Sequence, residues 1–206
     1  MKRIAILGST GSIGRQTLDI VRAFPNEFTV VGLSAWSNRD LLLAQAKEFR
    51  PTLLYSKHQW TPEALPAGTR IAEDLSEIVT HANVDLIIQG IVGNIGLLPT
   101  LDALNAGKRV AMANKEPIVM AGELLTQAAS RGGGQLIPVD SEPSAIWQCL
   151  QGEDAQRSVR RLIITASGGA LRHLPLEEVA KVTPQQALKH PTWNMGKKIT
   201  IDCATL

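Results

Sequence analysis

Residues 8–14 read Gly8-Ser9-Thr10-Gly11-Ser12-Ile13-Gly14, a GxxGxxG run between a short apolar stretch and an amphipathic one. Glycines at this spacing permit a tight turn that brings backbone N–H groups up to a pyrophosphate, where the start of a helix favours negative charge. The spacing departs from the commoner GxGxxG, and a glycine turn that merely closes a strand–helix unit is the alternative. Further on, Ser34-Ala35-Trp36-Ser37-Asn38-Arg39 occupies the end of the second predicted strand, where an acidic side chain would accept the ribose hydroxyls of NAD. No acid stands there. Hydroxyl, amide and guanidinium donors suit a 2′-phosphate, so a phosphorylated adenine dinucleotide is the expected cofactor. Asp40 counts against this, and Asn38 as a helix cap with Arg39 as a solvated charge is the alternative.

Three later clusters are chemically distinct. Ala113-Asn114-Lys115-Glu116 follows a buried strand and puts three polar side chains at the carboxyl edge of the sheet, where a nicotinamide would lie; a solvated helix start is the other reading. Val139-Asp140-Ser141-Glu142 places two carboxylates two residues apart. On an extended chain both point to one side and suit a hard divalent cation, whereas Asp140 or Ser141 could equally cap a helix. Ser167-Gly168-Gly169 can cradle a phosphate or be a plain turn. His190-Pro191-Thr192-Trp193-Asn194-Met195-Gly196 suits a flap that closes over a ligand, or a loop whose Trp193 packs on its own domain.

The elements that must position these groups follow from periodicity. Strands are predicted at Arg3–Leu7, Phe28–Leu33, Thr52–Tyr55, Val84–Gln89, Arg109–Ala113 and Gln135–Val139, as short apolar runs bounded by turn residues. Helices are predicted between them: after Gly14 to Pro25, from an Asn38 cap to Pro51, at Leu75–Thr80, near Leu97–Ala106, and at Ile118–Arg131, with Gly107 and Gly132 as C-caps. Such alternation means an α/β fold with a doubly wound, mostly parallel, Rossmann-like sheet over residues 1–140. Residues 141–206 read as part of a second, α+β domain, with a helix at Ser144–Leu150, a strand at Arg160–Thr165 and short helices near Leu176–Val182 and Pro184–His190. The chain stops after an apolar run, Ile199–Leu206, and that abrupt end reads as a truncation.

The 206 residues carry 21 basic and 19 acidic side chains, a formal charge of +2. No concentrated basic field exists, which argues against nucleic acid as a partner. Cys149 and Cys203 are far apart and outside metal-ligand spacing, as expected of free thiols in a reducing, cytoplasmic setting. No apolar run approaches the roughly 20 residues of a membrane span, and residues 1–8 lack the features of a secretory signal.

Taken in order, GSTGSIG at 8–14, IVGNIGLLPTL at 91–101, ANKE at 113–116, PVDSE at 138–142, ASGG at 166–169 and HPTWNMGKKITIDCATL at 190–206 resemble the 1-deoxy-D-xylulose 5-phosphate reductoisomerase family along the whole chain. The resemblance implies rearrangement and reduction of 1-deoxy-D-xylulose 5-phosphate to 2-C-methyl-D-erythritol 4-phosphate in non-mevalonate isoprenoid synthesis, with NADPH and Mg²⁺ or Mn²⁺. It implies cofactor contacts at Thr10, Gly11, Ser12, Ile13, Ser37, Asn38, Asn114, Glu116 and Gly196, and metal ligands at Asp140 and Glu142. Lys115, Ser141, Glu142, Ser167, His190 and Cys203 match substrate-contacting positions, with Lys115, Glu142 and His190 in the catalytic set and Trp193 and Met195 in a closing flap. The full-length family member is implied to be a homodimer acting on a small phosphorylated sugar.

Departures from the family pattern are specific. Trp36 and Ser37 replace a small residue followed by a basic or polar one in the ribose-phosphate loop. Pro143 stands where His is usual, and Cys203 where a Ser would help hold the substrate phosphate; a thiol is much the weaker hydrogen-bond partner. A later segment with an Asn-Lys pair and a Glu completing the metal site does not appear before Leu206, so a physical chain of 206 residues is expected to bind cofactor without turnover. Two other readings compete. A semialdehyde or acyl-phosphate reductase needs a catalytic Cys near the nicotinamide, and Cys149 lies in a predicted helix; an NADP-sensing module would show no metal-dependent substrate binding.

Overall fold

The computed structural model describes residues 1–57, 65–166, 168–192 and 196–205. Seven strands, β1 (Lys2–Leu7), β2 (Phe28–Ala35), β3 (Leu53–Ser56), β4 (Arg70–Ile71), β5 (Leu86–Gln89), β6 (Arg109–Met112) and β7 (Gln135–Pro138), form one sheet in the order β4-β3-β2-β1-β5-β6-β7. Every pairing is parallel, the fold is α/β, and the strand order reverses on either side of β1. Helices α1 (Ser12–Ala23), α2 (Arg39–Phe49), α3 (Leu75–Thr80), α4 (Leu97–Asn105) and α5 (Glu116–Gly132) supply the crossovers.

The sequence pattern dictates which helix covers which face. Successive side chains of a strand point to opposite faces, and in β1 Ile4 and Ile6 join Leu18, Val21, Leu42 and Ala46 in one core. Ala5 and Leu7 join Ile78, Val79, Ala103, Leu104 and Leu125 in the other. Both faces are covered, which is why the central strands read as continuous apolar runs rather than as alternating ones.

An ion pair ties the start of β1 to the segment before β5. Arg3 donates through Nε to Asp85 Oδ2 at 3.0 Å and through NH2 to Oδ1 at 2.6 Å, and its backbone N–H also reaches Asp85. These donors hold the Asp85 carboxyl well below the usual carboxylate range. A depressed folded-state value stabilises the fold above the unfolded pKa of about 4, and the contribution is lost as pH falls through the folded value. Asp85→Asn is therefore expected to lower the urea midpoint at neutral pH, with the difference from wild type narrowing below about pH 4; a difference that does not depend on pH would contradict it.

Several expectations need correction. Residues 160–165 are not a strand: they adopt no regular structure, and Leu162, Ile163 and Ile164 are 56%, 66% and 78% exposed. Apolar β-branched residues raise strand propensity, but a strand also needs a neighbour for its backbone groups, and none pairs with this segment among the described residues. The α5 C-cap is Gly133, at φ 72°, with Gly132 still helical; after α4, Ala106 is the C-cap and Gly107 takes the positive φ of 73°. The helix predicted from Ile118 begins at Glu116 and is interrupted at Ala121. Strand β4 at the edge of the sheet was not anticipated.

Contacts divide the chain into Met1–Val139 and Asp140–Leu206. The second unit contains α6 (Ser141–Cys149), α7 (Ala155–Ser158), α8 (Leu176–Val179), α9 (Pro184–Ala187) and α10 (Lys197–Asp202). Among the described residues no helix is long and apolar enough to cross a membrane.

Candidate functional site

The glycine turn leaves β1 at its carboxyl end and enters α1. Gly8 takes φ 81°, and both its N–H and that of Ser9 donate to Ser34 O, at 3.1 and 2.8 Å, which fastens the turn to the end of β2. Gly11 is the N-cap of α1 and offers no side chain, and no acid lies in the first turn. The N–H groups at the start of α1 therefore carry their positive end toward whatever occupies the space beyond them. Gly14 is needed for a different reason: a Cβ there would sit 2.4 Å from both Gly8 O and Ser9 Cα.

A buried polar pair absent from the sequence reading holds this turn. Ser9 Oγ donates to Gln45 Oε1 at 2.7 Å, and Gln45 Nε2 donates to Ser9 O at 2.9 Å; both residues are buried. Nothing in the spacing marks them, because a Gln in a helix and a Ser in a loop pair across 36 positions. Gln45→Leu is expected to lose about 1–3 kcal/mol in urea denaturation, since it strands a buried hydroxyl and carbonyl; unchanged stability would remove the pair from the account.

A cleft of about 380 Å³ opens at this edge, within the 300–1,000 Å³ range of small-molecule sites. Gly8, Thr10 and Gly11 form one side, Ser34, Ala35, Trp36 and Ser37 a second, and Gly90, Ile91, Val92 and Ile95 a third. It lies where the strand order reverses between β1 and β5, the place at which open parallel sheets bind ligands. The approach is close: a Cβ on Gly8 would meet Gly90 O at 2.9 Å.

Of the cofactor residues expected from sequence, Thr10, Gly11 and Ser37 line the cleft, and Ser12 and Ile13 begin α1 directly beyond it. Asn38 is the N-cap of α2, its Oδ1 accepting from Leu41 N at 3.2 Å, which leaves its amide N–H as the group it can offer a phosphate. Asn114 is buried; it donates to Gly93 O at 2.9 Å and accepts from Glu116 N at 3.0 Å. It thereby joins the end of β6 to the Val92–Ile95 loop of the cleft. Lys115 precedes α5 as its N-cap, and Glu116 opens the helix. Gln89 and Tyr55 were missed. Buried Gln89 holds the same loop, donating to Gly96 O at 3.0 Å and accepting from Ile91 N at 3.1 Å.

In the second unit, the extended arrangement expected for Asp140 and Glu142 is not what forms. Asp140 caps α6 and Glu142 lies in its first turn, so the helical path replaces the period of two. Ser141 Oγ donates to Glu142 Oε2 at 3.0 Å, and Pro143 continues the first turn. The oxygen-only donors match a hard cation such as Mg²⁺ or Mn²⁺ in type. They do not match it in number: among the described residues no three His, Cys, Asp or Glu side chains gather, so further oxygen ligands are needed to complete the shell.

Gly169 packs where no side chain fits, since a Cβ there would stand 1.8 Å from Cys203 O, and Leu171 N donates to Ala204 O at 2.8 Å. The glycine loop and the end of α10 are thus brought together. Cys203 turns its thiol back on its own helix, 3.6 Å from Thr200 O. Gly196 caps α10, and His190 Nδ1 accepts from Thr192 N at 3.1 Å. Ser167, Trp193 and Met195 lie outside the described residues.

Residues 4–122 match the family model described as 1-deoxy-D-xylulose 5-phosphate reductoisomerase, and residues 136–206 match that of its C-terminal domain. The chain is similar to the 1-deoxy-D-xylulose 5-phosphate reductoisomerase of Desulforamulus reducens, 47% identical over 216 residues covering 100% of this chain and 56% of that protein. To that of Thermomicrobium roseum it is 48% identical, over 98% of this chain and 53% of that protein. Among solved structures, DOX-P reductoisomerase in complex with NADPH, fosmidomycin and magnesium matches with a TM-score of 0.81 at 37% identity, over 99% of this chain and 54% of that one. The Zymomonas mobilis enzyme in complex with NADPH gives 0.82 at 38% identity, over 98% and 54%. The chain spans about half the length of the curated relatives it matches.

Proposed function

Because this chain belongs to the 1-deoxy-D-xylulose 5-phosphate reductoisomerase family, we propose that it carries the NADPH site and two metal-binding carboxylates of an enzyme that rearranges and reduces 1-deoxy-D-xylulose 5-phosphate to 2-C-methyl-D-erythritol 4-phosphate. The observation that carries the reading is the uncapped, acid-free start of α1 facing a cleft at the reversal point of a parallel sheet. The similar proteins named as complexes with NADPH and magnesium support it.

In this reading the N–H groups of Thr10, Ser12 and Ile13 bind the pyrophosphate while that of Gly11 holds the turn through Gly8 O, and Ser37 and Asn38 bind the ribose phosphate. Asn114 and Glu116 position the nicotinamide end, and Gly196 is a further cofactor residue. Asp140 and Glu142 would hold the divalent cation with two oxygens of the substrate. When bound, NADPH supplies the hydride and the cation supplies Lewis acidity. Lys115, Ser141 and His190 orient the substrate's polar oxygens, and Ser167 with Cys203 receives its phosphate. We further propose a cytoplasmic location, a homodimer for the full-length protein, and no nucleic-acid or membrane partner.

The test is binding of 1-deoxy-D-xylulose 5-phosphate to the purified, NADPH-loaded chain with and without Mn²⁺. Substrate binding that requires Mn²⁺ supports the reading. A protein that binds NADPH yet shows no cation-dependent interaction with the substrate is a nucleotide-binding module instead.

A further inference from the structure

Of the residues that follow β2, Trp36 and Ser37 carry no charge and Arg39 opens α2; β3 brings a further cation to this loop. β3 ends beside this loop: Ala35 pairs with Ser56 and Ser34 with Tyr55. The next residue, Lys57, lies with Nζ 4.4 Å from the centroid of the Trp36 ring, inside the range of a cation–π contact. Trp36 lines the cleft with Ser37 and Tyr55, so the ring holds an ammonium at the adenosine end of the site, on the side away from β1.

We infer that Lys57, held by the face of Trp36, is a specificity-determining cation that distinguishes NADPH from NADH in this chain. The physical argument is one of preorganisation. A lysine on a flexible stem loses rotamer freedom when it grips a phosphate, and the indole face takes part of that cost before ligand arrives. Its charge is also placed where the second strand offers no acid to oppose it, apart from Asp40 in the first turn of α2. Loss of the ammonium removes a charge-assisted bond to the 2′-phosphate and touches nothing that NADH shares with NADPH.

The inference rests on the cleft being the nucleotide site, and the experiment separates the two. The purified chain is titrated calorimetrically with NADPH, NADH, adenosine 2′,5′-bisphosphate and AMP, as wild type, Lys57→Met and Lys57→Arg. Lys57→Met is expected to weaken NADPH and the bisphosphate about tenfold, to leave NADH and AMP unchanged, and to show less salt dependence for NADPH; Lys57→Arg keeps the preference. AMP binding by Lys57→Met also reports that the site is folded. Wild-type preference retained in Lys57→Met, or equal loss for all four ligands, overturns the role of Lys57 while leaving the cleft as the nucleotide site. Wild type that binds none of the four overturns both.

Discussion

Gly14→Ala is expected to destabilise the protein by about 1–3 kcal/mol and to weaken NADPH binding at least tenfold, against the usual sign of a Gly→Ala change in a helix. Alanine ordinarily gains about 1 kcal/mol over glycine in a helix interior. Here the new Cβ would stand 2.4 Å from Gly8 O and from Ser9 Cα, which are backbone atoms of the turn and cannot rotate aside. Relief requires moving the turn off Ser34 O, to which Gly8 and Ser9 donate, and so displaces the N–H groups proposed to bind the pyrophosphate. Gly122→Ala in α5 is the control, because a Cβ there meets only Ile118 Cγ2 at 3.8 Å. It is expected to be neutral or mildly stabilising. Urea denaturation and NADPH titration of the two variants check the contrast, and a Gly14→Ala protein as stable as wild type would contradict it.

Asp140→Asn and Glu142→Gln are expected to reduce Mn²⁺-dependent substrate binding by at least about a hundredfold each. Loss of partners that merely orient ligands costs ten- to a hundredfold, and these two carboxylates are proposed as direct ligands. A carboxylate at a helix N-terminus is favoured by the dipole, and Asp140 is the N-cap of α6, so both variants lose some of that, and Glu142→Gln also weakens the charge-assisted bond from Ser141 Oγ. Mn²⁺ binding followed by electron paramagnetic resonance, with and without 1-deoxy-D-xylulose 5-phosphate, measures the effect. Undiminished substrate-dependent Mn²⁺ uptake by Asp140→Asn would remove it from the metal site.

Local chemistry made the first unit readable. Gly8–Gly14 announces a turn between strand and helix, Asn38 announces a cap, and the apolar runs of β1, β2 and β6 are bounded by turn residues, so strand and helix positions follow within a residue or two. What escaped depends on partners distant in sequence. Gln45 looks like an ordinary helix residue until Ser9 meets it, and Gln89 like a strand end until the Asn94–Gly96 turn folds over it. Edge strand β4 exists because β3 offers it a backbone to pair with. The converse holds in the second unit, where Arg160–Thr165 has strand composition and no pairing among the described residues. The motif at 139–142 could be read with two periods, and the helical one prevails: Pro143 tolerates the first turn, where its missing N–H costs nothing, and Asp140 stands at the cap.

The most direct measurement on the central claim is amide hydrogen exchange of the purified chain with and without NADPH. Slowed exchange concentrated at residues 9–14, with smaller effects at 34–38 and 90–96, is the result the cleft and the start of α1 require. Unchanged exchange across residues 9–14 at saturating NADPH, or protection confined to other segments, would contradict the assignment of this turn as the pyrophosphate site.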